Sequence, residues 1–78
     1  MFERISVDQE ICGGKPCVKG TRIPVYMVLE LIEAEIGFDK IIADYYPNLT
    51  KEDIKACVEY AKMLVKEEEI HFAAELRE

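Results

Sequence analysis

In Gly13-Gly14-Lys15-Pro16-Cys17-Val18-Lys19-Gly20-Thr21-Arg22-Ile23-Pro24-Val25 the chain gathers three of its four glycines, two of its three prolines and three of its ten basic residues. Gly13-Gly14 opens the backbone to positive φ, and Pro16 fixes φ while removing a donor, so Gly-Gly-Lys-Pro reads as a turn. Cys17-Val18 is a short β-prone pair. Gly20-Thr21 is a second turn, after which Arg22-Ile23-Pro24-Val25 runs extended, because a residue before proline is pushed out of the α region. Two turns around a short extended piece imply a hairpin or an arm. A structural turn is favoured over a Walker-type phosphate loop, because that motif needs Gly-Lys-Ser/Thr opening a helix, whereas Lys19-Gly20-Thr21 runs into Ile23-Pro24.

Upstream, Phe2 to Val7 alternates and ends at Asp8, which predicts a short strand. A strand this short needs a partner, either Cys17-Val18 or Arg22-Val25, within the chain or swapped across a dimer. Downstream everything reads as helix. The first helix begins after Pro24 and runs to a stop at Gly37, with Val25, Val28, Leu29, Ile32 and Ile36 as a core stripe widened by Met27 and Leu31. Asp39 is placed to cap a second helix, Lys40 to Tyr45, whose Ile41, Ile42 and Tyr45 face inward before Pro47 ends it. Tyr45-Tyr46 is read as core and rim packing in preference to a base-stacking platform. Thr50-Lys51-Glu52-Asp53 resembles a capping box with Asp in place of Glu or Gln. It opens a third helix with Ile54, Cys57, Val58, Ala61, Leu64 and Val65 on its apolar face.

Lys51, Lys55, Lys62 and Lys66 fall on one narrow stripe beside that face, at about 100° per residue. Two helices joined by Tyr46-Pro47-Asn48-Leu49, with lysines on the second, meet the minimum for a helix-turn-helix. Glu52 and Glu59 lie close enough to blunt the stripe, and no Arg, Asn or Gln stands there to read base edges. A solvated lysine face is the competing reading.

The net charge is −6, unevenly placed: residues 1 to 26 carry four basic and three acidic groups, residues 27 to 78 six basic and thirteen acidic. An acidic whole argues against indiscriminate nucleic-acid binding but leaves room for a local basic site. Half of the 78 residues are hydrophobic, a surplus that favours burial against a second copy, and a homodimer is expected. No stretch has the pattern of a signal peptide or the length of a membrane span, so a cytoplasmic protein is expected, and three cysteines fit a reducing compartment. Cys12, Cys17, Cys57 and His71 match no common zinc spacing, and no carboxylate pair or dyad is pinned by sequence. Neither a cofactor nor an enzymatic activity is expected.

Taken together, Ile5-Ser6-Val7-Asp8, Ile11 through Val25, Tyr46-Pro47-Asn48-Leu49-Thr50 and Asp53-Ile54 resemble domain-of-unknown-function family 433. That resemblance implies a small prokaryotic antitoxin-type protein, often encoded beside a PIN-like nuclease toxin. The implied fold is mainly α, a short N-terminal β-strand or hairpin arm followed by a three-helix, homeodomain-like (helix-turn-helix) bundle. The expected layout is one domain: an arm over 1–25, a bundle over 26–66, and an acidic extension of helix three over 67–78. Promoter DNA would meet Lys51, Lys55 and Lys62, with Lys15, Lys19 and Arg22 as a second, arm-like contact. A toxin would meet Glu67, Glu68, Glu69, Ile70, Phe72 and Leu76, an acidic tail with apolar anchors. Arg22 has a structural alternative, bonding carbonyls of its own turn. Cys17 stands where the family pattern has valine. The competing reading is an interaction or structural dimer module that never touches DNA.

Overall fold

The computed structural model describes residues 3–76, with side-chain surroundings defined through residue 67. Strand β1, Ile5–Ser6, pairs antiparallel with β2, Cys17–Val18, in the register Ile5 to Val18 and Ser6 to Cys17. Helix α1 spans Val25–Glu33. Helix α2 spans Phe38–Lys40 and continues as a π-helical turn over Ile41–Tyr45. Helix α3 spans Lys51–Leu76.

Both extended pieces named by the sequence use β2. On its far edge the amide of Val18 donates to the carbonyl of Ile23 at 3.0 Å and that of Val25 to Pro16 at 2.9 Å, so β2 lies between β1 and the Ile23–Val25 segment. The pairing is made within the chain. Cys17 and Val18 are both buried although neighbours on a strand face opposite ways: Val18 joins the core cluster, and the Cys17 thiol lies by the Ser6 hydroxyl and the Thr21 carbonyl. The turn at Gly13-Gly14 has φ of 63° and 85°, as glycine allows, but Cys12 ahead of it is also left-handed at 55°, where a side chain is strained. Thr21, not Arg22, ties the second turn: its Oγ1 donates to the Val18 carbonyl at 2.7 Å and accepts from the Ile23 amide at 3.0 Å. Arg22 is exposed.

The core forms where α1 and α3 pack across the hairpin. Ile5, Val18, Val25, Val28, Ile41, Leu49, Ile54 and Cys57 make one buried cluster, with Leu29, Leu31, Ile32, Ile36 and Tyr46 half-buried around it. Met27, assigned to the widened stripe, is instead exposed.

Helix α1 ends earlier than the glycine signal implied. The amide of Ile36 donates to the Leu31 carbonyl at 3.0 Å and that of Glu35 to Ile32 at 2.9 Å, a Schellman closure with Glu35 in the left-handed position, φ 65°. Gly37, at φ −67°, is then extended and precedes α2, so Asp39 sits inside the first turn of α2 and caps nothing. A left-handed Glu carries strain that glycine avoids. Glu35→Gly is therefore expected to raise stability by about 1 kcal/mol in urea unfolding, and a loss of stability would remove the strain argument.

The π turn accounts for a second difference. The amide of Tyr46 reaches back five residues to the Ile41 carbonyl at 2.8 Å. That extra residue rotates the helix end. Ile41 is fully buried, Ile42 half-buried, Tyr46 packs on the core, and Tyr45, expected to face inward, is exposed.

Candidate functional site

The N-terminus of α3 is fixed by the capping box. The Thr50 amide donates to Asp53 Oδ2 at 2.9 Å and the Asp53 amide to Thr50 Oγ1 at 3.2 Å, which satisfies two otherwise orphaned donors. Arg4, just before β1, closes on Asp53 Oδ1 at 3.0 Å, so one carboxylate couples the hairpin to the helix. Burial pushes the Asp53 carboxyl up, but the bonds from the Thr50 amide, the Arg4 guanidinium and the Thr50 hydroxyl outweigh it and hold it below the ordinary carboxylate range.

From this fixed start α3 presents two different flanks. On one lies the lysine edge: Lys51, Lys55, Lys62 and Lys66 are all exposed. Lys51 is engaged, its Nζ 3.0 Å from Asp39 Oδ1 of α2. The remaining three carry no ion pair among the described residues. The free cationic edge therefore starts one turn further along than the sequence suggested. Lys15, Lys19 and Arg22 are also exposed, and they stand on the hairpin turns, with Lys15 Nζ 5.8 Å from the centre of the Tyr26 ring. Of the acidic tail, Glu67 is exposed; Glu68, Glu69, Ile70, Phe72 and Leu76 have side chains outside the described residues.

On the other flank, α1 and α3 leave an apolar groove of about 380 Å³ lined by Val25, Tyr26 and Leu29 from α1 and Tyr60, Ala61 and Leu64 from α3, with Lys15 and Pro16 at its end. Nothing in the sequence located it. Of the apolar face assigned to α3, only Ile54 and Cys57 are buried; Ala61 is half-buried, and Val58, Leu64 and Val65 are 40%, 42% and 60% exposed.

Cys17 and Cys57 are buried; Cys17 Sγ donates to the Thr21 carbonyl at 3.6 Å and lies 3.8 Å from the Ser6 hydroxyl. Desolvation, helped by the nearby Asp53 charge, pushes the Cys57 thiol up to about 11, so it stays protonated. Cys12 is raised as well, by the packing around it and by the Cys17 thiol. Among the described residues no three His, Cys, Asp or Glu side chains are grouped to hold a metal ion, and no helix is long and apolar enough to cross a membrane.

A two-stranded hairpin feeds three helices, with a cationic edge and an apolar groove on opposite flanks of the last. The model of the family described as "Protein of unknown function (DUF433)" matches residues 5–61, and the chain belongs to that family. A crystal structure of a DUF433 member protein from Anabaena variabilis is similar, with a TM-score of 0.73 at 27% identity over 90% of this chain and 68% of that one. The uncharacterized protein y4eO of Sinorhizobium fredii is 33% identical over 60 residues. That match takes in 77% of this chain but 27% of y4eO, so this chain corresponds to about a quarter of that relative's length.

Proposed function

We propose that this chain is the antitoxin-type member of a two-protein system in the cytoplasm. In this reading it is a non-enzymatic homodimer that neutralises a PIN-like nuclease and sets α2, the Tyr46 to Leu49 turn and α3, as a homeodomain-like helix-turn-helix, on its own promoter DNA. The observation that carries the DNA half is the pair Lys55 and Lys62, exposed and free of ion pairs among the described residues, on one edge of a helix that follows a tight turn. Two cations on one helical edge suit phosphate contacts, which position a protein on a duplex. Lys15, Lys19 and Arg22 supply a second contact from the hairpin. With no base-reading side chain on the edge, sequence preference comes from DNA shape.

Fluorescence anisotropy with the DNA upstream of the gene tests this. Lys55→Glu with Lys62→Glu should weaken binding by roughly tenfold and lower the salt slope, with helical content unchanged. Equal affinity of the variant and the parent would sink the DNA assignment. The toxin half rests on the acidic segment from Glu67 onward and is tested by co-purification with the adjacent nuclease.

A second reading, a protein-binding module that never meets DNA, is favoured by the Lys51 to Asp39 pair, which removes one cation from the edge, and by the net charge of −6. Co-purification with the nuclease and no salt-sensitive retention of promoter DNA would select it.

A further inference from the structure

The charge along α1 is set against the helix itself. No acidic residue stands in its first turn and no basic one in its last, whereas the macrodipole favours the reverse of what is present: cationic Lys15 beside Tyr26 at the N-terminal end, and Glu30, Glu33 and Glu35 at the C-terminal end. Glu30 and Glu33 have no ion-pair partner among the described residues. At about 100° per residue, Tyr26, Glu30 and Glu33 share one stripe, and that stripe borders the groove, because Tyr26 and Leu29 line it. From Tyr26 to Glu33 the stripe is roughly 10 Å long, at about 1.5 Å per residue. It is positive at the Tyr26 end, where Lys15 stands, and negative from Glu30 to Glu33, with apolar Leu29 alongside.

A surface with both signs at opposite ends is complementary to itself when turned end for end, which is what a two-fold contact requires. We propose that α1 packs antiparallel on α1 of a second copy, closing the two grooves on each other and setting Lys15 of each protomer against Glu33 of its partner. This deepens the homodimer part of the reading above and rests on it. The contact covers Tyr26 and Leu64, which are 49% and 42% exposed in the single chain. It also relieves the unfavourable ends of α1 by bringing an opposite charge to each. Lys62 is about 160° around α3 from Leu64, so the lysine edge stays open in the dimer.

Sedimentation velocity of the full chain across a range of concentrations, at low and moderate salt, tests the geometry. The parent should be a dimer that weakens as salt rises. Lys15→Glu and Glu33→Lys should each raise the dimer dissociation constant about tenfold by setting like charges opposite one another twice, and the chain carrying both changes should return to within about threefold of the parent. Tyr26→Asp, at a half-exposed position, should give a monomer that keeps its helical circular dichroism. A dimer indifferent to these variants, or single variants whose defects simply add, would overturn this interface while leaving a homodimer standing. A parent that is monomeric throughout would overturn both.

Discussion

Ile54→Ala is expected to destabilise the chain by about 3 kcal/mol, lowering its melting temperature by roughly 15 °C. Ile54 is the first side chain of α3 to enter the core, has no exposed surface, and shares the buried cluster with residues from β1, β2, α1, α2 and the turn before α3. Truncating it removes buried methyl and methylene groups and leaves a cavity that the surrounding elements must each shift to fill. Among the described residues the cluster holds eight side chains, with half-buried ones such as Leu29, Ile32 and Tyr46 packed against it. A domain of this size has on the order of 5 to 10 kcal/mol of total stability, which makes this one change a large fraction of it. Ile54→Val should cost about 1 kcal/mol, and Val58→Ala, at an exposed position on the same helix, less than about 0.5 kcal/mol. Urea unfolding that places Ile54→Ala within 1 kcal/mol of the parent would mean that this cluster is not where the helices are held.

The elements that sequence made legible are those whose signal is local. Gly13 and Gly14 announce positive φ because a glycine is free to take it, and both do. Thr50 and Asp53 announce a capping box because both halves lie within four residues, and both bonds form. Cys12 and Glu35 are left-handed without being glycine, so nothing in their chemistry marks them, and the end of α1 is displaced from Gly37 for that reason. The π turn at Ile41–Tyr45 shifts the inward face from Tyr45 to Tyr46, which a fixed 3.6-residue period cannot register. At the candidate site the lysine stripe followed from periodicity alone, because spacing on one helix needs no tertiary knowledge. The Asp39 to Lys51 pair and the α1–α3 groove bring together residues from different elements, and no local pattern records them. Periodicity likewise gave α3 a long apolar face without saying how far along it the rest of the chain reaches.

Asp53→Ala should cost about 2 kcal/mol at neutral pH, more than an ordinary surface carboxylate, because the Thr50 amide and the Arg4 guanidinium both bond its carboxylate at the start of a helix. Loss of the capping bond to the Thr50 amide accounts for about 1 kcal/mol of this. Loss of the charge-assisted bond to Arg4 adds a smaller share, discounted because the arginine side chain is 50% exposed while that of Asp53 is 14% exposed. The remainder is the helix dipole, which favours an anion in the first turn. The pH dependence separates this electrostatic account from simple packing. With its pKa held below the unfolded value of about 3.9, the Asp53 carboxylate contributes its full stabilisation above that pH and loses it as pH falls through the folded-state pKa. Stability curves of the parent and Asp53→Ala should therefore run apart at pH 7 and draw together in acid. Parallel curves down to pH 3 would assign the loss to packing. Arg4→Ala should reproduce only the smaller share and leave the Thr50 bonds intact, because Arg4 reaches α3 through Asp53 Oδ1 while the cap uses Oδ2. The same carboxylate thus sets where α3 begins and how it is held against the hairpin, so its loss should loosen the angle between the lysine edge and the basic turns before it unfolds the chain.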